Sequence, residues 1–134
     1  MTDLKDSLRP ELRAAIDAAQ AKNAEAVTLL DLEGLGAFTD HFLLCTGLSA
    51  PQVEAICEEI ERQVERLGVR LLHREGGTGA EWVLLDFGSF LVHVFTKSAR
   101  GYYDLERLWR ASSRTDISDP GSPGRGADSA GGKP

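Results

Sequence analysis

Asp86 and His93 are the residues whose types and spacing could most readily do chemistry. They lie in two apolar runs, 82–87 and 90–95, on either side of the dipeptide Gly88-Ser89. Such a spacing is typical of two antiparallel strands joined by a tight turn. In the resulting register the two side chains lie diagonally on one face, close enough for a hydrogen bond. The pair could satisfy itself beneath a covering helix, contact a partner or act as an acid–base dyad, and all three interpretations stay open.

The two faces of this predicted hairpin differ in polarity. Pairing Phe87 with Phe90 and counting outward makes one face wholly apolar, so we expect that face in the core. Its members are Val83, Leu85, Val92 and Val94. The other face carries Trp82, Leu84, Asp86, Leu91, His93 and Phe95. This mixture favours a surface that is partly covered and partly open to a partner, since large aromatic residues are enriched at protein–protein hot spots.

A helix is predicted over about 103–112, directly after the hairpin. Leu105, Leu108 and Trp109 recur at helical spacing and are expected to face the core. Tyr102 and Glu106 are four residues apart and are expected to share another face, which a partner could reach. Arg100 is expected to cap the helix or to pair locally.

Other chemistries have little support in the sequence. The three histidines and two cysteines show none of the short paired spacings of a zinc site. Cys45 and Cys57 fall in apolar patterns typical of buried, reduced thiols. The turn 47–49 precedes a helix and could hold a phosphate, but it lacks the glycine and lysine fingerprints of nucleotide-binding loops. Asp31 and Asp40 stand singly, as Asp86 does, so no two-metal site is predicted.

The elements that must position these residues form one α/β domain. Helical periodicity predicts helices over about 10–22 and from a Ser49-x-x-Gln52 cap to Gly68. Apolar runs predict strands at 26–32, 41–46 and 69–74, before the hairpin. The predicted order is α-β-β-α-β-β-β-α, with five strands.

Composition limits the function classes. A chain of 134 residues with 42% hydrophobic residues fits one domain, and a net charge of -6 argues against affinity that comes from wrapping nucleic acid. The N-terminal residues lack a signal-peptide pattern and no apolar run could span a membrane, so a cytoplasmic protein is expected. From Ser112 onward the chain is rich in Ser, Gly, Pro and Asp. A domain over 1–112 and a disordered tail over 113–134 are therefore predicted, with no function for the tail.

Four motifs occur together in this chain. They are TDHFLLCTG at 39–47, Glu75-Gly76, WVLLDFGSFLVHVF at 82–95, and Arg100 followed by YYDLERLW at 102–109. In order and spacing they resemble the ribosomal silencing factor family, also called RsfS or Iojap, over roughly residues 8–112. The matching positions are Thr39, Asp40, Trp82, Asp86, His93, Tyr103, Glu106 and Trp109. The chain has Ser49-Ala50-Pro51 where the family usually has Ser-x-Arg, and Gly88-Ser89 where it usually has Gly-Asp. Contacts that the family makes through this arginine or this aspartate are therefore not implied for this chain.

The resemblance implies a mixed-sheet domain related in fold to nucleotidyltransferases but without their active site. Family members bind the large ribosomal subunit through ribosomal protein L-fourteen and block joining of the small subunit, which lowers translation when nutrients are scarce. For this chain a non-enzymatic factor is therefore expected, with no cofactor, no metal and no sequence-specific nucleic-acid contact.

The predicted partner surface is the mixed hairpin face with the start of the last helix. Trp82 and Tyr103 are expected to anchor the partner, while Asp86 and Glu106 meet its Lys or Arg side chains and His93 orients Asp86. Tyr102, Thr39 and Asp40 complete the predicted set. Two alternatives remain: a small Mg-dependent nucleotide-binding or nucleotidyl-transferring enzyme that uses the 47–49 turn and Asp86, and a homodimer formed through the mixed face.

Overall fold

The structure, a computed structural model, describes residues 8–117. In chain order the elements are α1 (Pro10–Ala21), β1 (Glu25–Asp31), β2 (His41–Gly47), α2 (Ala50–Glu65), β3 (His73–Glu75), β4 (Trp82–Asp86), β5 (Phe90–Thr96), α3 (Lys97–Tyr103), α4 (Leu105–Leu108) and β6 (Ser113–Asp116). The strands form one sheet in the order β3-β4-β5-β2-β1-β6. The predicted mixed α/β domain is confirmed, with six strands in place of five.

The hairpin and the centre of the sheet follow the predicted register. Val83 pairs with Val94 and Leu85 with Val92 across β4 and β5. Strands β2 and β5 pair in parallel, whereas every other neighbouring pair of these strands is antiparallel. All seven residues of β2 are buried, as expected for a central strand covered on both faces.

Helices α1 and α2 cover one face of the sheet, which we call the helix-covered face. Its central strand residues include Leu43, Cys45, Val83, Leu85, Val92 and Val94, and each is buried in one cluster with both helices. The predicted cap of α2 is present, because the Ser49 hydroxyl accepts from the Gln52 N–H at 3.3 Å. The Gln52 side chain also donates to the carbonyls of Lys22 and Asn23, so it ties the end of α1 to the start of α2.

The opposite face, the mixed face, carries the other side chains of the same strands. Its strand residues are Phe42, Leu44, Trp82, Leu84, Asp86, Leu91, His93 and Phe95. Among residues 8–117, the short helices α3 and α4, the residue after α4 and the loop before β2 pack against it, through Ala37, Ala99, Leu105 and Trp109. The cover is therefore incomplete, and Trp82, Leu84 and Asp86 remain partly exposed.

The single helix predicted over 103–112 is wrong. Asp104 adopts a left-handed conformation (φ 50°, ψ 53°) and separates α3 from α4. Aspartate tolerates this conformation better than most residues, because its short polar side chain can bond locally. The break turns Leu108 outward, where it is 73% exposed, while Leu105 and Trp109 pack inward as predicted.

Two other predicted boundaries also differ. Residues 113–116, placed in a disordered tail, form β6 and pair antiparallel with β1. This strand buries little apolar surface; its backbone ladder and a hydrogen bond of 3.0 Å from Thr28 to Asp116 hold it. Residues 118–134 lie outside the described part of the chain.

The strand predicted over 69–74 is shorter and begins later, since β3 spans only His73–Glu75. The Leu72 N–H nevertheless donates to the Asp86 carbonyl at 2.8 Å.

Candidate functional site

Aromatic rings cross the mixed face in a continuous row. Trp82 lies opposite Phe95 on the neighbouring strand, with ring centroids 5.3 Å apart. On its outer side Trp82 contacts Tyr103 of α3, with centroids 4.4 Å apart. Farther inward, Phe42 packs edge-on against His93 at 4.6 Å and against Trp109 at 5.5 Å. The sheet register thus builds one rigid aromatic layer from residues distant in sequence.

His93 positions Trp82, whereas the sequence predicted that it would orient Asp86. The Trp82 indole N–H donates to His93 Nδ1 at 3.1 Å. Burial lowers the pKa of His93 to about 4, so the ring is neutral near pH 7 and Nδ1 can accept. Its Nε2 is buried and has no hydrogen-bond partner among the described residues. Asp86 instead accepts from the Gly88 N–H at 2.8 Å, which fixes the hairpin turn.

A cleft opens beside Trp82 at the junction of β4 and α3. Its lining residues are Glu81, Trp82, Ser98, Ala99, Tyr102 and Tyr103, and we call it the aromatic cleft. Tyr102 is 82% exposed and Tyr103 is 47% exposed, and their rings stand nearly perpendicular with centroids 5.1 Å apart. Aromatic faces next to the Glu81 carboxylate suit an apolar side chain or the cation of a Lys or Arg. Sequence reasoning missed Glu81 and Ser98, although Glu81 directly precedes Trp82.

Glu106, which was predicted to meet a partner, is held inside the protein. It accepts from the Arg100 guanidinium at 2.8 Å, and the side chains of Glu106 and Arg100 are only 17% and 11% exposed. Arg100 also donates to Thr28 at 2.9 Å, to Thr46 at 3.0 Å and to the carbonyl of Ala26, where β1 bulges. The predicted local pairing of Arg100 is therefore present, and this network fastens α3 and α4 to the sheet.

Three further predicted residues lie at the turn end of the hairpin. The Thr39 hydroxyl donates to the Gly88 carbonyl at 2.9 Å, and Thr39 is buried. Asp40 pairs with Arg9 at 3.2 Å. Asp86 and Trp82 occupy opposite ends of β4, roughly 13 Å apart along the strand. The predicted set therefore splits into the aromatic cleft and a structural group at the turn, in which Asp40 and Asp86 keep some exposure.

The cysteines and the 47–49 turn, which were considered for thiol chemistry and phosphate binding, have structural roles. Burial raises the pKa of Cys45 and of Cys57 to about 12, so neither thiol is activated. A side chain at Gly47 would meet Val53 at 3.0 Å, which accounts for the glycine before the α2 cap. Within residues 8–117, no three His, Cys, Asp or Glu residues converge as a metal site would require. No helix in that range is long and apolar enough to cross a membrane.

Comparison with known proteins was made at three levels. A family model described as "Ribosomal silencing factor during starvation" matches residues 5–132. Ribosomal silencing factor RsfS of Bacillus subtilis is 42% identical over 106 residues, which cover 79% of this chain and 90% of that protein. The mouse protein named "Mitochondrial assembly of ribosomal large subunit protein 1" is 25% identical over 104 residues, which cover 75% of this chain and 46% of that protein.

The fold has a counterpart among solved structures. A crystal structure of a Chromobacterium violaceum protein superposes with a TM-score of 0.73 at 26% identity, covering 90% of this chain and 98% of that one. Because the family model spans nearly the whole sequence and the Bacillus subtilis relative shares two fifths of its residues, the chain belongs to the ribosomal silencing factor family.

Proposed function

We propose that this protein binds the large ribosomal subunit through ribosomal protein L-fourteen and sterically blocks joining of the small subunit, thereby repressing translation. It acts in the cytoplasm as a binding factor and not as an enzyme. The observation that carries the proposal is the aromatic cleft, a preorganised site for a protein side chain on a domain of the silencing family. The name of the mouse relative, which refers to the large subunit, supports the choice of subunit.

The tryptophan of the cleft is fixed by contacts within the protein. Trp82 is held by its hydrogen bond to His93 and by contacts with Phe95 and Tyr103. An anchor that is already fixed loses little conformational entropy on binding, and tryptophan and tyrosine are frequent hot-spot residues. The open faces of Trp82 and Tyr103 can therefore contribute most of the affinity of a small interface.

The electrostatics of this surface suit a basic partner. Glu81 lines the cleft, and Glu75 lies on the mixed face of β3, opposite Leu84. Asp86 lies farther along the same edge of the sheet. A Lys or Arg side chain entering between the aromatic rings would meet Glu81, while Glu75 and Asp86 would attract other basic side chains of the partner. Such charges raise the association rate and set the orientation of the partner more than they add affinity.

Co-sedimentation with large ribosomal subunits tests the proposal. The full chain should pellet saturably with large subunits and should prevent small subunits from joining them. Trp82→Ala should weaken binding at least about tenfold, since truncation of a hot-spot tryptophan removes 2 kcal/mol or more. Leu67→Ala is the matched control, because Leu67 is an exposed apolar residue beyond α2, on the other side of the sheet.

Three outcomes would contradict the proposal. Absence of pelleting at micromolar protein would remove the ribosomal role. Pelleting without loss of subunit joining would remove the steric mechanism. Wild-type binding by a folded Trp82→Ala variant would move the interface away from the aromatic cleft. Size-exclusion chromatography of the wild type shows whether the mixed face pairs with a second copy instead.

A further inference from the structure

A second groove lies on the other side of Tyr102. Its lining residues are Gly101, Tyr102, Tyr103, Asp104, Arg107, Leu108, Arg110 and Ala111, and we call it the arginine groove. The break at Asp104 creates it, because a continuous helix would not turn Leu108 outward beside Tyr102. The two grooves share Tyr102 and Tyr103 as a common wall.

The charges of the two grooves are opposite. The aromatic cleft contains Glu81, whereas the arginine groove contains Arg107 and Arg110 against the single carboxylate of Asp104. Both arginines are exposed, and neither side chain has an ion pair or hydrogen bond to any residue in 8–117. By contrast, Arg100 lies near the same short helices and is fully engaged with Glu106 and two threonines.

We propose that the arginine groove binds the sugar–phosphate backbone of ribosomal RNA, without reading its sequence, and that Tyr102 stacks on an unpaired base. This inference rests on the proposed function, because it assumes that the protein binds a ribosomal subunit. Guanidinium groups with no internal partner can donate two parallel hydrogen bonds to a phosphate. An exposed tyrosine ring is a base-stacking platform that tolerates any sequence.

The overall acidity of the protein does not oppose this contact. At physiological ionic strength, charges more than about 8 Å away are largely screened, so the local arginines decide the interaction. The net charge of -6 argues against a protein that wraps nucleic acid, but the local charge of the arginine groove differs from the net charge of the chain. With a cleft for a basic protein on one side of Tyr102 and a phosphate groove on the other, the surface fits a boundary between ribosomal protein and RNA.

The salt dependence of binding to large subunits is the first test. Log affinity falls as log salt rises, and each lost phosphate contact makes that slope less negative by about 1. Arg107→Gln/Arg110→Gln should therefore make the slope less negative by about 2 and weaken binding at physiological salt. Arg66→Gln/Arg70→Gln is the control, because it removes two exposed arginines just after α2, on the opposite side of the sheet, and should keep the wild-type slope.

The same variants separate this inference from the proposed function. Arg107→Gln/Arg110→Gln should bind isolated ribosomal protein L-fourteen as the wild type does, since that contact uses the aromatic cleft. Wild type that fails to pellet with large subunits would overturn both proposals. Wild type that pellets while the double variant keeps an unchanged salt slope would overturn the RNA contact alone.

Photo-crosslinking identifies what occupies the groove. A benzoylphenylalanine placed at Leu108, which is 73% exposed in the groove, should crosslink to ribosomal RNA within the bound large subunit. Crosslinks to ribosomal protein alone would overturn the inference. Because Tyr102 also lines the aromatic cleft, Tyr102→Ala should lose roughly tenfold more affinity for whole large subunits than for isolated ribosomal protein L-fourteen, whereas Tyr102→Phe should keep wild-type affinity for both. Equal losses for the two partners would overturn the stacking contact.

Discussion

The two faces of the sheet are built from the same strands, and they differ in how they are closed. The helix-covered face is apolar except at its β3 end, where Arg74 pairs with Glu54 and Glu61 of α2, and it lies beneath α1 and α2, helices of 12 and 16 residues. The mixed face contains His93 among its apolar residues and lies beneath α3 and α4, helices of 7 and 4 residues. Long helices bury the apolar side chains of one face, while short ones leave Trp82 and Leu84 within reach of solvent.

This difference separates the roles of stability and recognition. The helix-covered face is stabilised mainly by burial of apolar surface, and the ion pairs of Arg74 with Glu54 and Glu61 join β3 to α2 at its edge. Several polar groups of the mixed face are paired inside the protein, and the bonds that pair them also fix Trp82 and hold α3 and α4 in place. The polar interior of this face thus positions the binding surface.

The largest expected effect compares two neighbouring leucines on β4. Leu85 is fully buried on the helix-covered face, and Leu84 is partly exposed on the mixed face. Leu85→Ala should lower the free energy of unfolding by about 2–5 kcal/mol, because it leaves a cavity in the closed core. Leu84→Ala should lower it by less than about 1 kcal/mol. Chemical denaturation measures both, and equal losses would contradict the distinction between the faces.

Protonation of buried His93 should make the protein less stable at low pH. Burial lowers its pKa from 6.5 to about 4, so the unfolded chain binds the proton more tightly. The contribution of neutral His93 to the free energy of unfolding is therefore fully present above pH 6.5. It is lost as the pH falls towards 4, and the total loss is about 3 kcal/mol. Denaturation of wild type and His93→Leu across this range should show the wild type falling more steeply.

A control for that measurement is His73→Gln, which changes an exposed histidine on the edge strand β3. If the unfolding curves of wild type and His93→Leu ran parallel from pH 7 to pH 4, the buried neutral state of His93 would be wrong.

Substitution of Glu106 tests whether its ion pair with Arg100 holds α3 and α4 on the mixed face. Glu106→Ala should lower the free energy of unfolding by about 2 kcal/mol, because it leaves the Arg100 guanidinium partly unpaired in a mostly buried position. Glu58→Ala, at an exposed position of α2, is the control and should change stability little. A Glu106→Ala variant of wild-type stability that lost only partner affinity would restore the contact role predicted from the sequence.

The smallest expected effect concerns the hydrogen bond between Trp82 and His93. Trp82→Phe keeps a ring beside Phe95 and Tyr103 but leaves His93 Nδ1 without its donor, so the unfolding free energy should fall by about 1 kcal/mol. Trp109→Phe is the matched control, since the ring of Trp109 packs on Phe42 without such a bond in the described residues. Similar losses in the two variants, measured by denaturation, would remove the positioning role of His93.

Much of the fold could be predicted because its signals are local. Strict alternation around Gly88-Ser89 determined the register of the hairpin, and a single apolar stripe with a Ser49 cap determined α2. The break at Asp104 carried no comparable signal, since aspartate also occurs within helices. Strand β6 was missed because polar residues can form an edge strand wherever a neighbouring backbone is open to pair with them.

The sequence by itself determined the family, the alternation of the hairpin and the aromatic character of the mixed face. Only the tertiary structure decided which polar side chains are used internally. Arg100, which lies before the predicted start of the last helix, belongs to α3 and meets Glu106 of α4, and His93 accepts from Trp82 on a neighbouring strand. Hydrogen bonds are short-ranged and directional, so small differences in backbone direction decide which donor reaches which acceptor. Residue types and spacing alone do not contain those directions.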